Sequence, residues 1–587
     1  MDIINGLYEY RISGGEPFDI SAKLCNTDGI DYLTVTMHCD TPTVPKVMRI
    51  DFSHPAINIQ HTWRTSNNFS KCTPVTWMTS REVVSKACSE APVICCYDGA
   101  GESNLCFSLD DALNVIYLEA GVNEETCDFK CACRFFCTPT APFTDYELTL
   151  RVDNIKKPYY DALSDVSRWW ESMDKYAPAP VPEHATLPMY STWYSYHQAL
   201  TSAEIEAECK LAKEIGCETI IVDDGWMAPE HSAYYYCGDW TPREDKFPDI
   251  AAHIKAVHNI GLKYMLWFSV PFLGTKSKAY EKFKNKTLNG VPSCEGAVVF
   301  DPRYPEVREY LANIYLRAVR EWGLDGFKLD FVDRFMQPAV EGENDDEGRD
   351  RLCVNSAAYA LLDDVTKKLN AEKADLLFEF RQKYIGPVMR KFGNMMRAAD
   401  CAYDSIQNRV RIVDIRLLCG KTACHSDMLT WNYNCPVSEA ARQITNIIFS
   451  VPQISVRLAE IPQSHTEMLK FYLGFFKQYK NTLLFGKFEP LYPSANYAAI
   501  IGYDDEKCVG AVYDNVVLPL DNMTTDNAII NSGFTDSIVV SADNGLGEFN
   551  AECYTPDGKL VWNGKLCIDT GVCKLSIPQC GILFLKK

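Results

Sequence analysis

The stretch PEVREYLANIYLRAVREWGLDGFKLDF, residues 305–331, decides the architecture. Pro305 suits the first turn of a helix, where its missing N–H has no partner to lose, and Val307, Tyr310, Leu311, Ile314 and Trp322 recur behind it at helical spacing. Gly323 ends that helix, and residues 326–331 read as a buried strand. A helix feeding such a strand is one unit of a parallel sheet.

The same alternation extends in both directions. Thr201 and Glu204 form a capping box before a helix carrying Ile205, Leu211, Ala212 and Ile215, Gly216 stops it, and a strand follows at 219–222. Candidate strands lie at 189–193, 219–222, 263–268, 326–331, 376–380, 395–399, 423–425 and 449–454. Eight strands in about 290 residues fit a (β/α)8 TIM barrel. Before about residue 150 the pattern has period two, as in Leu33-Thr34-Val35-Thr36-Met37, which is the pattern of antiparallel β structure. A helical stretch over 161–175 leads into Pro178, Pro180 and Pro182, a stiff connector. Beyond about 483 period two returns, with hairpin turns predicted at Asp557-Gly558 and Asn563-Gly564 between runs at 552–554, 559–562 and 565–568. The fold class expected is multidomain α/β plus β: an N-terminal antiparallel β-sandwich over 1–165, a catalytic barrel over 183–482 and a C-terminal β-sandwich over 483–587.

Composition narrows the partners. The 587 residues are 47% hydrophobic and 23% charged, and 58 Lys and Arg against 78 Asp and Glu leave a formal charge of −20. Phosphate backbones and anionic lipid would repel such a chain, so neither nucleic acid nor a membrane is an expected partner. The first residues lack the basic start and apolar run of a secretory signal, and no uncharged apolar stretch of about 18 residues occurs, which points to the cytoplasm. The 25 cysteines are odd in number and none are spaced Cys-x-x-Cys, as expected for free thiols rather than a disulfide framework or zinc ribbon. Cys127, Cys131, Cys133 and Cys137 share one parity, so on a strand they share one face, either packed in a sandwich or holding a metal.

In a β/α barrel the reacting groups sit where the strands end. Those ends carry Trp193 and Tyr194, Asp223 and Asp224, Trp267, Lys328 and Asp330, Glu379 and Arg381, Asp400, then His425 and Asp427. Aromatic rings offer flat faces to the C–H side of a sugar and carboxylates accept hydrogen bonds from its hydroxyls, so this set suggests a carbohydrate site. Glycosidic cleavage needs two carboxyl groups, one as acid and one as nucleophile or base. Asp330 is the nucleophile candidate, because Lys328 lies two residues before it on the same side of the strand and holds it ionised.

The segment Trp193-Tyr194, Val222-Asp223-Asp224-Gly225-Trp226, Gly238-Asp239-Trp240, Lys246-Phe247-Pro248, Leu266-Trp267-Phe268 and Gly326-Phe327-Lys328-Leu329-Asp330 resembles the α-galactosidases of glycoside hydrolase family 36 and their clan relatives in family 27. The resemblance implies a retaining exo-α-glycosidase for galactose-configured sugars, among them α-galactosides, α-galactosaminides and α-N-acetylgalactosaminides, with no cofactor and no metal. It places Asp330 at the nucleophile, Asp223 and Asp224 at the pair binding the C4 and C6 hydroxyls, Lys328 on a ring hydroxyl, and Trp193, Trp226 and Trp267 in the pocket wall. Met396-Arg397-Ala398-Ala399-Asp400 looks like the segment bearing the acid/base aspartate, and Cys424-His425-Ser426-Asp427 like a later Ser-His stretch; Asp404 and Asp427 compete with Asp400, and His425 is either a ligand of the sugar or a structural residue. Two departures stand out. Phe268-Ser269-Val270-Pro271 replaces a usual carboxylate, and Glu379-Phe380-Arg381-Gln382-Lys383-Tyr384 replaces a loop rich in cysteine and glycine, which remodels that side of the pocket. The expected partner is an oligosaccharide or glycoconjugate, and a homo-oligomer is compatible with the sequence. Readings left open are a transglycosylase of the same family, a barrel enzyme with Mg²⁺ on Asp330, Glu379 and Asp224, and a non-catalytic sugar binder.

Overall fold

The computed structural model describes residues 1–4, 6–65, 69–77, 82–288, 291, 293–338 and 347–587. The N-terminal part stacks two antiparallel sheets. One runs in the order Asp2–Ile3, Tyr10–Gly14, Met48–Pro55, Asp128–Phe135, Ile116–Asn123, Val83–Ser85, and the other in the order Asp19–Thr27, Ile30–Thr43, Phe143–Asp153, Glu102–Leu109, Val93–Tyr97, His61–Trp63. The period-two pattern is what packs them: Leu33, Val35 and Met37 are buried between the sheets, together with Ile50 and Phe52 from the opposite face. Cys131 and Cys133 belong to this core, whereas Cys127 is exposed in the preceding turn and Cys137 is half-buried beyond the strand. The shared face thus holds two of the four thiols, and among the described residues no group of three or more His, Cys, Asp or Glu is arranged for a metal.

The helix Tyr159–Glu171 starts slightly before the predicted stretch and buries Ala162, Leu163, Val166 and Trp170. Eight parallel strands then form the central barrel: Met189–Ser191, Thr219–Val222, Lys263–Ser269, Gly326–Asp330, Leu377–Arg381, Met395–Arg397, Ala423–His425 and Gln453–Ile454. Consecutive strands are neighbours, and the eighth lies beside the first. The ring closes between strands seven and eight through a bridge of His425 with Val451, the Ser426 N–H donating to Val451 O at 3.0 Å. The eighth strand is shorter than expected, because residues 447–450 form a turn before the chain straightens. At the N-terminal end, Met189, Ile221, Met265, Leu377, Met395 and Ala423 pack on Ala185 and close the barrel floor. A plugged floor leaves the C-terminal ends of the strands as the open face.

After the helix Gln463–Phe485, a seven-stranded sheet and a three-stranded sheet make up the C-terminal part. The Asp557-Gly558 turn forms, Thr555 N donating to Lys559 O at 2.9 Å with Gly558 at φ +78°. The turn expected at Asn563-Gly564 does not: a single strand, Leu560–Ile568, runs through it, with Asn563 opposite Glu552 and Gly564 opposite Ala551 on Gly547–Tyr554. The ladder to that neighbour satisfies the backbone groups that a turn would have left in water, so pairing overrides the local turn signal.

One buried carboxylate ties the three parts together. Asp414, on the barrel helix Ser405–Arg416, accepts from Trp63 Nε1 at 2.9 Å and Lys71 Nζ at 3.1 Å on the N-terminal side and from the Tyr497 hydroxyl at 2.8 Å on the C-terminal side. Lys71 and Asp414 have side chains only 5% and 0% exposed. Asp414→Ala should therefore strand a buried ammonium and lower stability by about 3–5 kcal/mol in urea unfolding, and Lys71→Met added to Asp414→Leu should restore part of it.

Candidate active site

Asp330 ends the fourth strand, inside the mouth. Its Oδ1 accepts from Arg381 Nε at 2.7 Å, from the Phe331 N–H at 2.7 Å and from the Tyr384 hydroxyl. Its Oδ2 accepts from Trp267 Nε1 at 3.1 Å. One oxygen is thus tied by three donors, and the other keeps a lone pair toward the mouth. Burial alone would push this carboxyl up, but the Arg381 and Lys328 charges, with the Tyr384 and Trp267 hydrogen bonds, outweigh it and hold Asp330 well below the usual carboxylate range. Phe331 takes φ +63°, unusual for a side chain of its size, and that twist points its N–H back at the preceding carboxylate.

Lys328 acts on Asp330 through charge, while its hydrogen bond goes to Asp223 Oδ2 at 2.5 Å. Asp223 and Asp224 leave the second strand at a sharp turn. Gly225 sits there at φ +112°, and a Cβ on it would come within 2.6 Å of Gln198 Cα, so only glycine fits. Gln198 Nε2 donates to Asp224 Oδ2 at 2.7 Å, while Asp224 Oδ1 is buried with no hydrogen-bond partner. Burial, opposed by the Gln198 hydrogen bond and reinforced by the Asp223 charge, pushes Asp224 up to about 7.

Arg397, fully buried at the end of the sixth strand, is shared by three carboxylates. It donates from Nη1 to Asp427 Oδ1 at 2.5 Å and from Nη2 to Asp400 Oδ1 at 2.9 Å, and its Nε lies 3.3 Å from Glu379 Oε1. Asp427 and Glu379 are sealed in, and burial pushes both upward despite Arg397. Asp427 also accepts from the Tyr194 hydroxyl at 2.8 Å. Asp400 differs: its side chain is 53% exposed at the mouth, and the charges of Arg397, Lys328 and Arg381 pull it down against burial, with Asp330 pushing it back up. Asp330 and Asp400 therefore share one electrostatic neighbourhood. Asp404 has another task, capping the helix Ser405–Arg416 by accepting from Gln407 N at 2.9 Å.

Trp226, expected in the pocket wall, and His425, left open between sugar ligand and structural residue, are both enclosed in the interior. Trp226 is fully buried, stacked on Trp240 and edge-on to Phe268 and Trp322, and donates from Nε1 to Trp267 O at 3.0 Å, so it supports the Trp267 backbone instead of lining the mouth. His425 is also fully buried, with Nε2 2.7 Å from Ala185 O near the barrel floor and Nδ1 3.2 Å from Gln453 Nε2. Burial pushes its pKa down to about 3, leaving it a neutral interior residue. Trp193 is half-buried and packs at a tilt against His197 with ring centroids 4.5 Å apart. Gln198, Tyr234 and Gln453 were not anticipated: Tyr234 packs between Trp267, Phe272 and Phe331, and Gln453 donates to Glu379 Oε2 at 2.5 Å.

Against known proteins, residues 175–390 match the melibiase family profile. The α-galactosidase Mel36A of Lactobacillus acidophilus is 26% identical over 149 residues, 24% of this chain and 20% of that protein. The α-galactosidase AgaA of Geobacillus stearothermophilus is 23% identical over 189 residues, 31% of this chain and 26% of that one. The chain is α-galactosidase-like. The aligned part spans about a fifth to a quarter of those relatives' own length. The fold likeness is broader: the galactosidase domain of AgaSK superposes with a TM-score of 0.65 at 12% identity over 98% of this chain and 85% of that one. AgaA in complex with raffinose gives 0.63 at 13% identity over 98% and 86%. These solved structures share the barrel flanked by antiparallel sheets.

The electrostatics predict two opposite pH responses. A carboxyl infrared band titrating near pH 7 should vanish in Asp224→Asn, and because folding raises this group above its unfolded value of about 4, the penalty for ionising it is present above pH 7 and relieved as pH falls toward 4. Asp330 works the other way. Its contribution is full above about pH 4 and lost as pH falls below, and Arg381→Met should move its titration upward.

Proposed function

We propose that the chain is a retaining exo-α-glycosidase that removes terminal α-linked galactose-configured sugars by double displacement. The observation that carries this reading is Asp330, an ionised carboxylate whose Oδ1 is fixed by three donors while Oδ2 stays available for in-line attack. In that role Oδ2 attacks the anomeric carbon and the leaving oxygen takes a proton from Asp400. A sugar filling the mouth strips water from the half-exposed Asp400, and the negative charge of Asp330 pushes the same way, so binding shifts this carboxyl toward its protonated form against the pull of Arg397. Once Asp330 is esterified that charge is gone. Asp400 then drops back under the pull of Arg397 and serves as base for the incoming water.

Asp223, Asp224 and Lys328 are offered as hydroxyl partners beside Asp330, with Asp224 Oδ1 still unpaired, while Trp267 and Tyr194 hold the carboxylates Asp330 and Asp427. The galactose configuration is supported by the relatives' names. A wider range is supported by the galactosaminidase of Flavonifractor plautii named for A type blood α-D-galactosamine, 23% identical over 193 residues, 30% of this chain and 17% of that protein. Transglycosylation shares the first half of the reaction, with a sugar acceptor replacing water.

Asp330→Ala should abolish turnover of nitrophenyl α-galactoside. Asp400→Ala should lose about a hundred- to ten-thousand-fold, with an activated aryl leaving group rescuing most of the first step. A mechanism-based glycosyl label should be found on Asp330 by peptide mass spectrometry, and wild-type turnover by Asp330→Ala would end the assignment. A panel of nitrophenyl α-galactoside, galactosaminide, N-acetylgalactosaminide and uronide ranks the substrates.

A further inference from the structure

The turn between the N-terminal strands Val83–Ser85 and Val93–Tyr97 leans into the barrel mouth. Lys86 and Ser89 close it through paired backbone hydrogen bonds of 2.9 and 3.1 Å, and Glu90 leaves it at φ +59°. Lys86 Nζ donates to Asp333 O at 2.8 Å and to Phe335 O at 3.3 Å. Those carbonyls end the short turn Val332–Arg334, which begins directly after Phe331. Four residues on, Glu90 N donates to Lys383 O at 2.8 Å, and Gly386 lies so close that a Cβ on it would sit 2.6 Å from Glu90 O. A single turn of the sandwich therefore touches both barrel loops that grip Asp330, one through Phe331 and the other through Arg381 and Tyr384.

An ammonium is a costly way to make a purely adhesive contact, since an apolar side chain would cover the same surface without losing hydration. What it adds is direction: two carbonyls at the end of a turn converge on one cation and fix the orientation of that turn. We propose that Lys86 is a positioning residue, through which the N-terminal sandwich sets the placement of the donors around Asp330. Lys86 touches neither Asp330 nor the mouth's other carboxylates, and it acts through the loop that follows Phe331. The inference rests on the glycosidase reading only where turnover is measured.

In the full chain, Lys86→Met should lower kcat on an activated aryl α-galactoside about ten- to a hundred-fold, with KM within about two-fold of wild type. The acidic limb of its pH profile should move upward as Asp330 loses well-placed donors, and Lys86→Arg should restore both. Hydrogen exchange should quicken in residues 331–338 and 381–386, with the rest of the barrel unchanged. A folded Lys86→Met with wild-type kcat, acidic limb and exchange overturns the proposal. If that variant does not fold, Lys86→Gln, shorter and without the charge, decides the matter: an intermediate loss supports the proposal and wild-type behaviour overturns it. Absence of turnover in the wild type would count against the glycosidase reading alone, and the exchange measurement would then decide the role of Lys86.

Discussion

The strand ends crowd Asp223, Asp224, Asp330, Glu379, Asp400 and Asp427 against Lys328, Arg381 and Arg397, with Lys246 also acting on Asp224, in a mouth where five of those six carboxyls are buried. So many carboxyls with so few cations cannot all be ionised away from water. The structure resolves the conflict by position. Asp330 and Asp400 lie where the cationic fields reach and are held down, whereas Asp224, Glu379 and Asp427 lie where burial wins and are pushed up. Asp330 and Asp224, the same side chain, thus shift in opposite directions because of their neighbours.

The rest of the molecule serves that arrangement. A floor of methionine and aliphatic side chains closes the far end of the barrel, so the charged residues face a single opening. Arg397 spreads one cation over three carboxylates, which lets its hold on Asp400 slacken without leaving a buried guanidinium unpaired. Asp414 fastens the N- and C-terminal sheets to the barrel, and the turn 86–90 brings the N-terminal sandwich against the loops on either side of Asp330. The flanking sheets are therefore part of the frame that holds the mouth.

Much of this was legible in advance because it is local. Strand two and strand seven have the expected bounds, and five of the other six differ only at their ends, since continuous apolar runs between helices have one stable use in a chain of this size. The pull of the Lys328 charge on Asp330 was legible from their spacing. Other features depend on distant packing. His425 ends strand seven, yet its partner is Ala185, 240 residues earlier, and Trp226, beyond the end of strand two, is enclosed by Trp240 and Trp322. Asn563-Gly564 has the composition of a turn, but the neighbouring strand Gly547–Tyr554 pairs with its backbone.

Gln198 and Lys86 were invisible for the same reason: each acts on a loop or carboxylate distant in the chain, and nothing in the residues nearby announces the contact. Periodicity, caps and spacing are encoded over a few residues, so the order of elements, the barrel and the carboxylates at its mouth could be read from the chain alone. Which carboxylate stays ionised, which aromatic faces the opening and which domain steadies the loops depend on distances closed only when remote segments pack, because burial and charge act through space and not along the chain.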